Sequence, residues 1–127
     1  MSTLAGKSAP LVLIVEDEPL LRMLAVEVAE EAGFLVIEAA DADEAVILLE
    51  SRNNISVLFT DINMPGSMDG LKLAHAVRDR WPTVKILLVS GQVRLLPSEA
   101  PSNSCFVGKP YRAAAIVEEL RSMVCLL

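Results

Sequence analysis

Short apolar runs recur along the chain, and each is about as long as a strand that is buried on both faces of a sheet. The runs cover residues 11–15, 35–37, 57–59, 86–89 and 105–107. Because each run is followed by a more polar segment, the pattern predicts five separate strands.

Apolar residues at helical spacing occupy the segments between and after these runs. The stripes consist of Leu21, Leu24, Ala25, Val28 and Ala32, then Ala45, Leu48 and Leu49, then Leu71, Ala74 and Val77, and finally Ile116, Val117, Leu120 and Val124. Gly33 after the first stripe is a typical helix stop. Asp41 and Glu44 form a typical capping pair before the second stripe. The chain therefore alternates between strand and helix, and its last helix is expected over residues 113–124.

This alternation predicts an α/β fold, a doubly wound five-stranded parallel sheet with helices on both faces. Parallel neighbours need crossover connections, which are usually helical and right-handed. The segment between the fourth and fifth runs is an exception, because Pro97 and Pro101 lack an amide donor and interrupt any long helix. We expect a short or irregular fourth helix there.

Composition indicates one domain with a substantial core, since the chain has 127 residues of which 53% are apolar. We expect residues 1–10 to form a flexible N-terminal tail and residues 11–127 to form the domain. Cys105 and Cys125 lack the spacing of a disulfide framework or a zinc site. Both are expected to be reduced core thiols.

The excess of acidic over basic residues makes some classes of binding partner unfavourable. A net charge of −6 and a pI of about 4.7 disfavour direct binding to nucleic acid or to anionic lipid. No stretch approaches the roughly 20 apolar residues of a membrane span, and the first ten residues lack the layout of a signal peptide. A cytoplasmic location is therefore expected.

Polar side chains follow four of the five predicted strands. Their positions are Glu16 and Asp17 after the first, Asp61 after the third, Ser90 after the fourth and Lys109 after the fifth. In an open parallel sheet such positions meet in one crevice beyond the carboxyl ends of the strands. Clustered carboxylates repel one another, which favours a divalent cation such as Mg²⁺. The set suits phosphoryl transfer, which needs mainly positioning and charge neutralisation.

Five segments carry a resemblance to a known family. They are Val15-Glu16-Asp17-Glu18-Pro19, Thr60-Asp61-Ile62-Asn63-Met64-Pro65, Asp69-Gly70, Val89-Ser90-Gly91 and Lys109-Pro110. Together and in this order, they resemble the receiver domain of two-component response regulators over nearly the whole chain. The fold expected on this basis is flavodoxin-like, with strand order 2-1-3-4-5.

The resemblance implies that Asp61 accepts a phosphoryl group from a histidine of a sensor histidine kinase or of a histidine phosphotransfer protein. It also implies a Mg²⁺ ion bound by the side chains of Asp17 and Asp61. The backbone carbonyl of Asn63 and waters positioned by Glu16 would complete the metal site.

The resemblance further implies a switch around the acceptor. Lys109 would pair with phosphoryl oxygens, and the peptide bond between Lys109 and Pro110 would be cis. Ser90 would move to bond a phosphoryl oxygen, and Phe106 would move inward with it. Phosphorylation would then shift the balance between two arrangements of one fold.

Several features depart from the usual family pattern. Glu16 stands where aspartate is commoner, and we expect metal binding to survive the longer side chain. The loop after Asp61 is one residue longer than usual, with Gly66 and Ser67 in place of one residue. The proline-interrupted segment belongs to a surface that many receivers use to dimerise or to bind targets, so a homodimer is possible. Because the chain ends after its last helix, we expect a separate downstream protein to receive the signal.

Two alternative functions compete with this interpretation. One is a pseudo-receiver that binds partners without phosphorylation, which the complete set of acids, hydroxyl and lysine disfavours. The other is a phosphatase with an aspartyl-phosphate intermediate. Such enzymes usually carry an aspartate two residues after the nucleophile, where this chain has Asn63. We therefore predict a phosphoacceptor signalling domain that catalyses only its own phosphorylation and dephosphorylation.

Overall fold

The computed structural model describes residues 9–64, 68–91 and 98–124. Its elements are β1 (Leu11–Val15), α1 (Pro19–Glu31), β2 (Leu35–Ala39), α2 (Ala42–Ser51), β3 (Ile55–Asp61), α3 (Gly70–Arg80), β4 (Lys85–Ser90), β5 (Ser104–Gly108) and α4 (Ala113–Val124). All strand pairs are parallel, and the strand order is β2-β1-β3-β4-β5. The predicted α/β class and strand order are confirmed.

The sheet separates two hydrophobic layers, because successive side chains of a strand point to opposite faces. Leu13 and Leu58 face the layer that α2 and α3 cover. Ile14 and Phe59 face the layer that α1 and α4 cover. The central strands β1, β3 and β4 are buried nearly throughout. Helices on both faces are therefore confirmed.

The two edge strands are less buried than the apolar runs predict. Leu35 in β2 is 56% exposed, and Phe106 in β5 is 39% exposed. Each of these strands has a neighbour on one side only, so part of its surface faces solvent. Cys105, also in β5, is a free thiol at the margin of the core rather than within it.

The apolar stripe predicted for α1 is only partly the buried face. Ala25 and Ala29 are buried against the sheet, whereas Leu21 and Leu24 are exposed. The fully buried positions of α1 are therefore small side chains, and these larger leucines remain exposed. Helical spacing identifies an apolar face, but it does not tell which part of that face is buried.

Local signals at the helix ends are confirmed. The side chain of Asp41 accepts a hydrogen bond from the amide of Glu44 at 2.9 Å, and the Glu44 carboxylate accepts one from the amide of Ala40 at 2.6 Å. Gly33 after α1 has a φ of 98°, a left-handed conformation that glycine adopts without steric cost.

The described part of the connection between β4 and β5, residues 98–103, forms turns rather than a helix. Arg78 of α3 holds this segment, with its Nε donating to the carbonyl of Ser102 at 2.8 Å. The irregular connection predicted from the prolines agrees with this part of the chain, which includes Pro101. Pro97 lies outside the described residues.

Three other sequence predictions lie outside the described residues and stay predictions. They concern most of the N-terminal tail, the loop insertion at Gly66 and Ser67, and the thiol of Cys125. Of the helices that the described residues form, none combines the length and apolar character needed to cross a bilayer.

Candidate functional site

The carboxyl ends of the strands meet at one edge of the sheet and bring three acidic side chains together. Carboxylate oxygens of Glu16, Asp17 and Asp61 all lie within 4.8 Å of one another. Glu16 and Asp61 are buried, and Asp17 is half-buried. β1 lies directly beside β3, so the two strands deliver their terminal acids to the same place. This group of oxygen donors could hold a metal ion.

Lys109 is the cation that faces this acidic cluster. Its Nζ lies 2.8 Å from Asp61 Oδ2 and 3.4 Å from Glu16 Oε1. The amide of Lys109 donates to the carbonyl of Ser90 at 2.9 Å, which extends the pairing of β4 and β5 past their ends. The peptide bond that follows, to Pro110, is cis. The lysine is thus held over the two buried carboxylates.

The protonation of the cluster reflects burial and crowding. Burial raises the pKa of the Glu16 carboxyl to about 7, and the charge of Asp61 contributes to the increase. Burial by itself would lower the pKa of Lys109, but its hydrogen bond to Asp61 and the nearby negative charges outweigh that effect and raise the pKa. The lysine therefore stays charged. Glu16 can release its proton when a cation binds beside it.

Affinity for a divalent cation should increase as the pH rises through about 7, the pKa of Glu16. Below this pH the side chain is protonated and neutral, and above it the ionised carboxylate adds a negative charge to the pocket. We expect the dissociation constant for a divalent cation to fall by about tenfold between pH 6 and 8, measured by isothermal titration calorimetry. The Glu16→Gln variant should bind more weakly and with little pH dependence. An equally steep pH dependence in this variant would show that the titration of Glu16 does not control cation affinity.

Ser90 and Asn63 are joined beside the acidic cluster. Ser90 is buried at the end of β4, and its Oγ donates to Asn63 Oδ1 at 2.7 Å. The amide of Asn63 donates to Asp61 Oδ1 at 3.2 Å. From the sequence, Asn63 was expected to supply a backbone carbonyl to the metal and to flank the site where it could tune an attacking water, and the contact with Ser90 was missed. Asparagine in a turn after a strand end is a signal that could have indicated a side-chain role.

Phe106 lies at a distinct position from these residues. It is on the edge strand β5, in register with Leu88, two residues before Ser90. Its side chain is exposed rather than buried in the site. The inward movement implied for Phe106 would start from this exposed position.

The N-terminus of α3 packs directly against the backbone at the end of β3. The amide of Gly70 donates to the carbonyl of Ile62 at 2.8 Å. A Cβ atom on Gly70 would lie 1.9 Å from the carbonyl oxygen of Asp61, far inside van der Waals contact. Asp69 caps the helix by accepting from the amide of Lys72 at 2.9 Å. Only glycine therefore allows α3 to pack this closely against the turn that follows Asp61.

Arg22 is a supporting residue that the sequence did not indicate. Its Nη1 donates to the carbonyl of Glu16 at 2.9 Å, and its Nε pairs with Glu38 Oε1 at 3.1 Å. The arginine thereby links the end of β1 to β2 beside the cluster. The available signal was an arginine one turn into the helix, among the apolar residues of its first half.

Fold and site together define a class of α/β signalling domain with clustered acids and a facing lysine at its strand ends. The family model of the response regulator receiver domain matches residues 12–121. The chain therefore belongs to the receiver domains of two-component response regulators.

Individual relatives cover the chain to similar extents but differ in their own length. The response regulator receiver protein CpdR of Brucella abortus is 33% identical over 116 residues, which are 89% of this chain and 95% of CpdR. The sensor kinase CckA of the same organism is 32% identical over 119 residues, again 89% of this chain but 12% of that protein. The chain thus corresponds to nearly all of CpdR and to a small part of CckA.

Solved structures show the same fold. The response regulator TrrA of Thermotoga maritima, in complex with Mg²⁺ and a beryllium fluoride, superposes with a TM-score of 0.78 at 27% identity. The match covers 91% of this chain and 99% of TrrA. The receiver domain of the hybrid histidine kinase CckA superposes with a TM-score of 0.76 at 30% identity, covering 90% and 98% of the two chains.

Proposed function

We propose that this receiver accepts a phosphoryl group on Asp61 in a Mg²⁺-dependent reaction and passes the signal to a separate protein. The observation that carries the proposal is the position of Asp61, which is buried beside Glu16 and in contact with the ammonium group of Lys109. A carboxylate oxygen of Asp61 would attack the phosphorus of the donor. The bond from phosphorus to the donor would break, leaving an acyl phosphate on Asp61.

The charges around Asp61 support phosphoryl transfer rather than a purely structural role. Lys109 Nζ, 2.8 Å from Asp61 Oδ2, is close enough to contact an oxygen of a group bound there. The acidic cluster is rich in oxygen ligands and carries excess negative charge, which fits Mg²⁺ better than a softer metal. Asp17, Asp61 and the backbone carbonyl of Asn63 would hold the ion, with Glu16 nearby. Bound Mg²⁺ would neutralise phosphoryl oxygens during transfer.

The proposed donor is a histidine of a sensor kinase or of a histidine phosphotransfer protein. The similarity to the sensor kinase CckA supports this class of partner, and the beryllium fluoride complex of TrrA supports a phosphoryl mimic as a ligand. CpdR, which the chain matches over 95% of its length, supports transmission to a separate downstream protein. The domain would catalyse only its own phosphorylation and dephosphorylation. We also propose that it is located in the cytoplasm.

Switching would follow from contacts that the phosphoryl group gains. Ser90 and Lys109 would contact its oxygens, and Phe106 would leave its exposed position on β5. The phosphoryl group can favour the switched arrangement only by as much as it interacts more strongly with that arrangement than with the resting one.

Incubation with acetyl phosphate and Mg²⁺ tests the proposal. The intact mass should increase by one phosphoryl group, and fragmentation should locate the modification at Asp61. Chelation of Mg²⁺ should prevent the increase. No mass change with Mg²⁺ present, or an equal change after chelation, would refute a Mg²⁺-dependent acceptor.

Substitution of Lys109 by alanine should separate metal binding from switching. Lys109 provides no oxygen ligand, so Lys109→Ala should still bind Mg²⁺. The variant should lose most of the chemical-shift changes that Mg²⁺ and beryllofluoride induce around β4 and β5 in NMR spectra, because the phosphoryl mimic loses its cationic partner. Lys85→Ala is a matched control, since Lys85 is exposed at the opposite end of β4. Equal responses in Lys109→Ala and the wild type would refute this role.

A further inference from the structure

We propose that the side chain of Asn63 is a positioning residue that holds the Ser90 hydroxyl in its resting orientation. In this way Asn63 would set how readily the domain switches when Asp61 is modified. The inference rests on the function proposed above. It is carried by the hydrogen bond in which Ser90 Oγ donates to Asn63 Oδ1 at 2.7 Å.

Both partners of this hydrogen bond are held by the backbone of the site. Ser90 ends the buried strand β4, and its carbonyl accepts from the amide of Lys109 at 2.9 Å. Asn63 follows β3 by two residues, and its amide donates to Asp61 Oδ1 at 3.2 Å. Asn63 therefore contacts the reactive carboxylate through its main chain and the switch hydroxyl through its side chain.

The hydrogen bond to Asn63 competes with the hydrogen bond that Ser90 would need to make in the switched state. A serine hydroxyl carries one proton and donates one hydrogen bond at a time. In the resting domain that proton is directed to the amide oxygen of Asn63. The role proposed for Ser90 requires the same proton on a phosphoryl oxygen, so the two bonds exclude each other.

The outcome of this competition depends on the strength of both acceptors. A phosphoryl oxygen is anionic and accepts a stronger hydrogen bond than a neutral amide oxygen. Ser90 should therefore move when Asp61 is modified, but the bond to Asn63 must first be broken. Removing that bond lowers the cost of the active arrangement and shifts the population towards it.

Alanine at position 63 removes this contact and leaves the main-chain contributions of the residue in place. The amide that donates to Asp61 and the carbonyl proposed for Mg²⁺ both belong to the backbone. The Mg²⁺ affinity of Asn63→Ala is measured separately by isothermal titration calorimetry, so that beryllofluoride affinities are compared at saturating Mg²⁺ in every variant. Asn53→Ala provides a matched control, because Asn53 is exposed before β3, at the opposite end of the sheet.

A double-mutant cycle with beryllofluoride, a mimic of the acyl phosphate, tests the inference. Affinity for beryllofluoride in the presence of Mg²⁺ is measured by fluorine NMR for the wild type, Asn63→Ala, Ser90→Ala and the double variant. We expect Asn63→Ala to bind about threefold to tenfold more tightly than the wild type, the range of one lost hydrogen bond. In the Ser90→Ala background the same substitution should have no effect.

The alternatives are distinguishable. Unchanged or weaker binding by Asn63→Ala, with normal binding by the wild type, would overturn the positioning role alone. An equal gain in both backgrounds would also overturn it, because the effect would not pass through Ser90. Absence of binding by the wild type would refute the proposed function itself and this inference with it.

Discussion

Replacement of Asp61 by asparagine should abolish the mass increase that the wild type acquires with acetyl phosphate and Mg²⁺. Asparagine has nearly the same size as aspartate, but its amide oxygen is a poor nucleophile and carries no charge. Its Oδ1 can still accept from the amide of Asn63, as the carboxylate does at 3.2 Å. Lys109 loses Asp61 Oδ2 as an acceptor but keeps the Glu16 carboxylate as a partner at 3.4 Å. The fold should therefore persist while the reaction is lost, and intact-mass spectrometry measures the difference.

A matched control separates the loss of the nucleophile from the loss of one charge. Asp79 is exposed on α3, and Asp79→Asn changes the net charge of the chain by the same amount. This variant should be phosphorylated like the wild type. Labelling of Asp61→Asn at the wild-type level would mean that another side chain, such as Glu16 or Asp17, is the acceptor.

Replacement of Gly70 by alanine should have the largest effect on stability. The added Cβ would lie 1.9 Å from the carbonyl oxygen of Asp61, 2.7 Å from its carbonyl carbon and 2.9 Å from the Cα of Ile62. All three are backbone atoms, so no side chain can rotate to relieve the clash. The start of α3 must move away and lose the 2.8 Å hydrogen bond from Gly70 to Ile62. We expect a loss of about 3 kcal/mol in the free energy of unfolding.

Chemical denaturation of Gly70→Ala beside Gly108→Ala measures this effect. Among the described residues, the atom nearest to a Cβ on Gly108 would be the Ser90 carbonyl oxygen at 3.9 Å, an ordinary van der Waals contact. Gly108→Ala should therefore stay within about 1 kcal/mol of the wild type. The phosphorylation rate of Gly70→Ala should also fall, because its displaced helix supports the turn after Asp61. Similar unfolding free energies for the two variants would contradict a rigid contact at Gly70.

A comparison of predicted and observed element bounds shows where the apolar pattern is sufficient to predict the ends of a strand or helix and where it is not. The first strand and the last helix were predicted with the bounds that the structure has, 11–15 and 113–124. The third run, 57–59, belongs to a longer strand, Ile55–Asp61. Thr60 pairs with Val15 of β1 and with Leu88 of β4, and Ile55 pairs with Leu11 across a register shift at Ser56. The strand therefore extends past the polar residues that interrupt the apolar run. Apolar runs locate a buried strand, but strand pairing decides where it ends.

Some residues of the candidate site could likewise be predicted from the sequence, and others could not. The three acids, the serine and the lysine could be selected from the sequence, because parallel strands present the residues after their carboxyl ends at one edge. The roles of Gly70 and Arg22 could not be derived, because each depends on the distance to another segment. The resemblance included Gly70 in a motif without its physical reason, which is the approach of α3 to the Asp61 carbonyl.

The sequence by itself determined the fold class and which chemical groups stand at the strand ends. Residue type, hydrophobic period and position along the chain are sufficient for those conclusions. Only the tertiary structure decided which of these groups touch. Ser90 and Asn63 are 27 residues apart in the chain and 2.7 Å apart in the site, and no local pattern specifies such a distance. It follows from the pairing of β3 with β4, and the pairing of β5 with β4 places Lys109 over the buried carboxylates of Asp61 and Glu16.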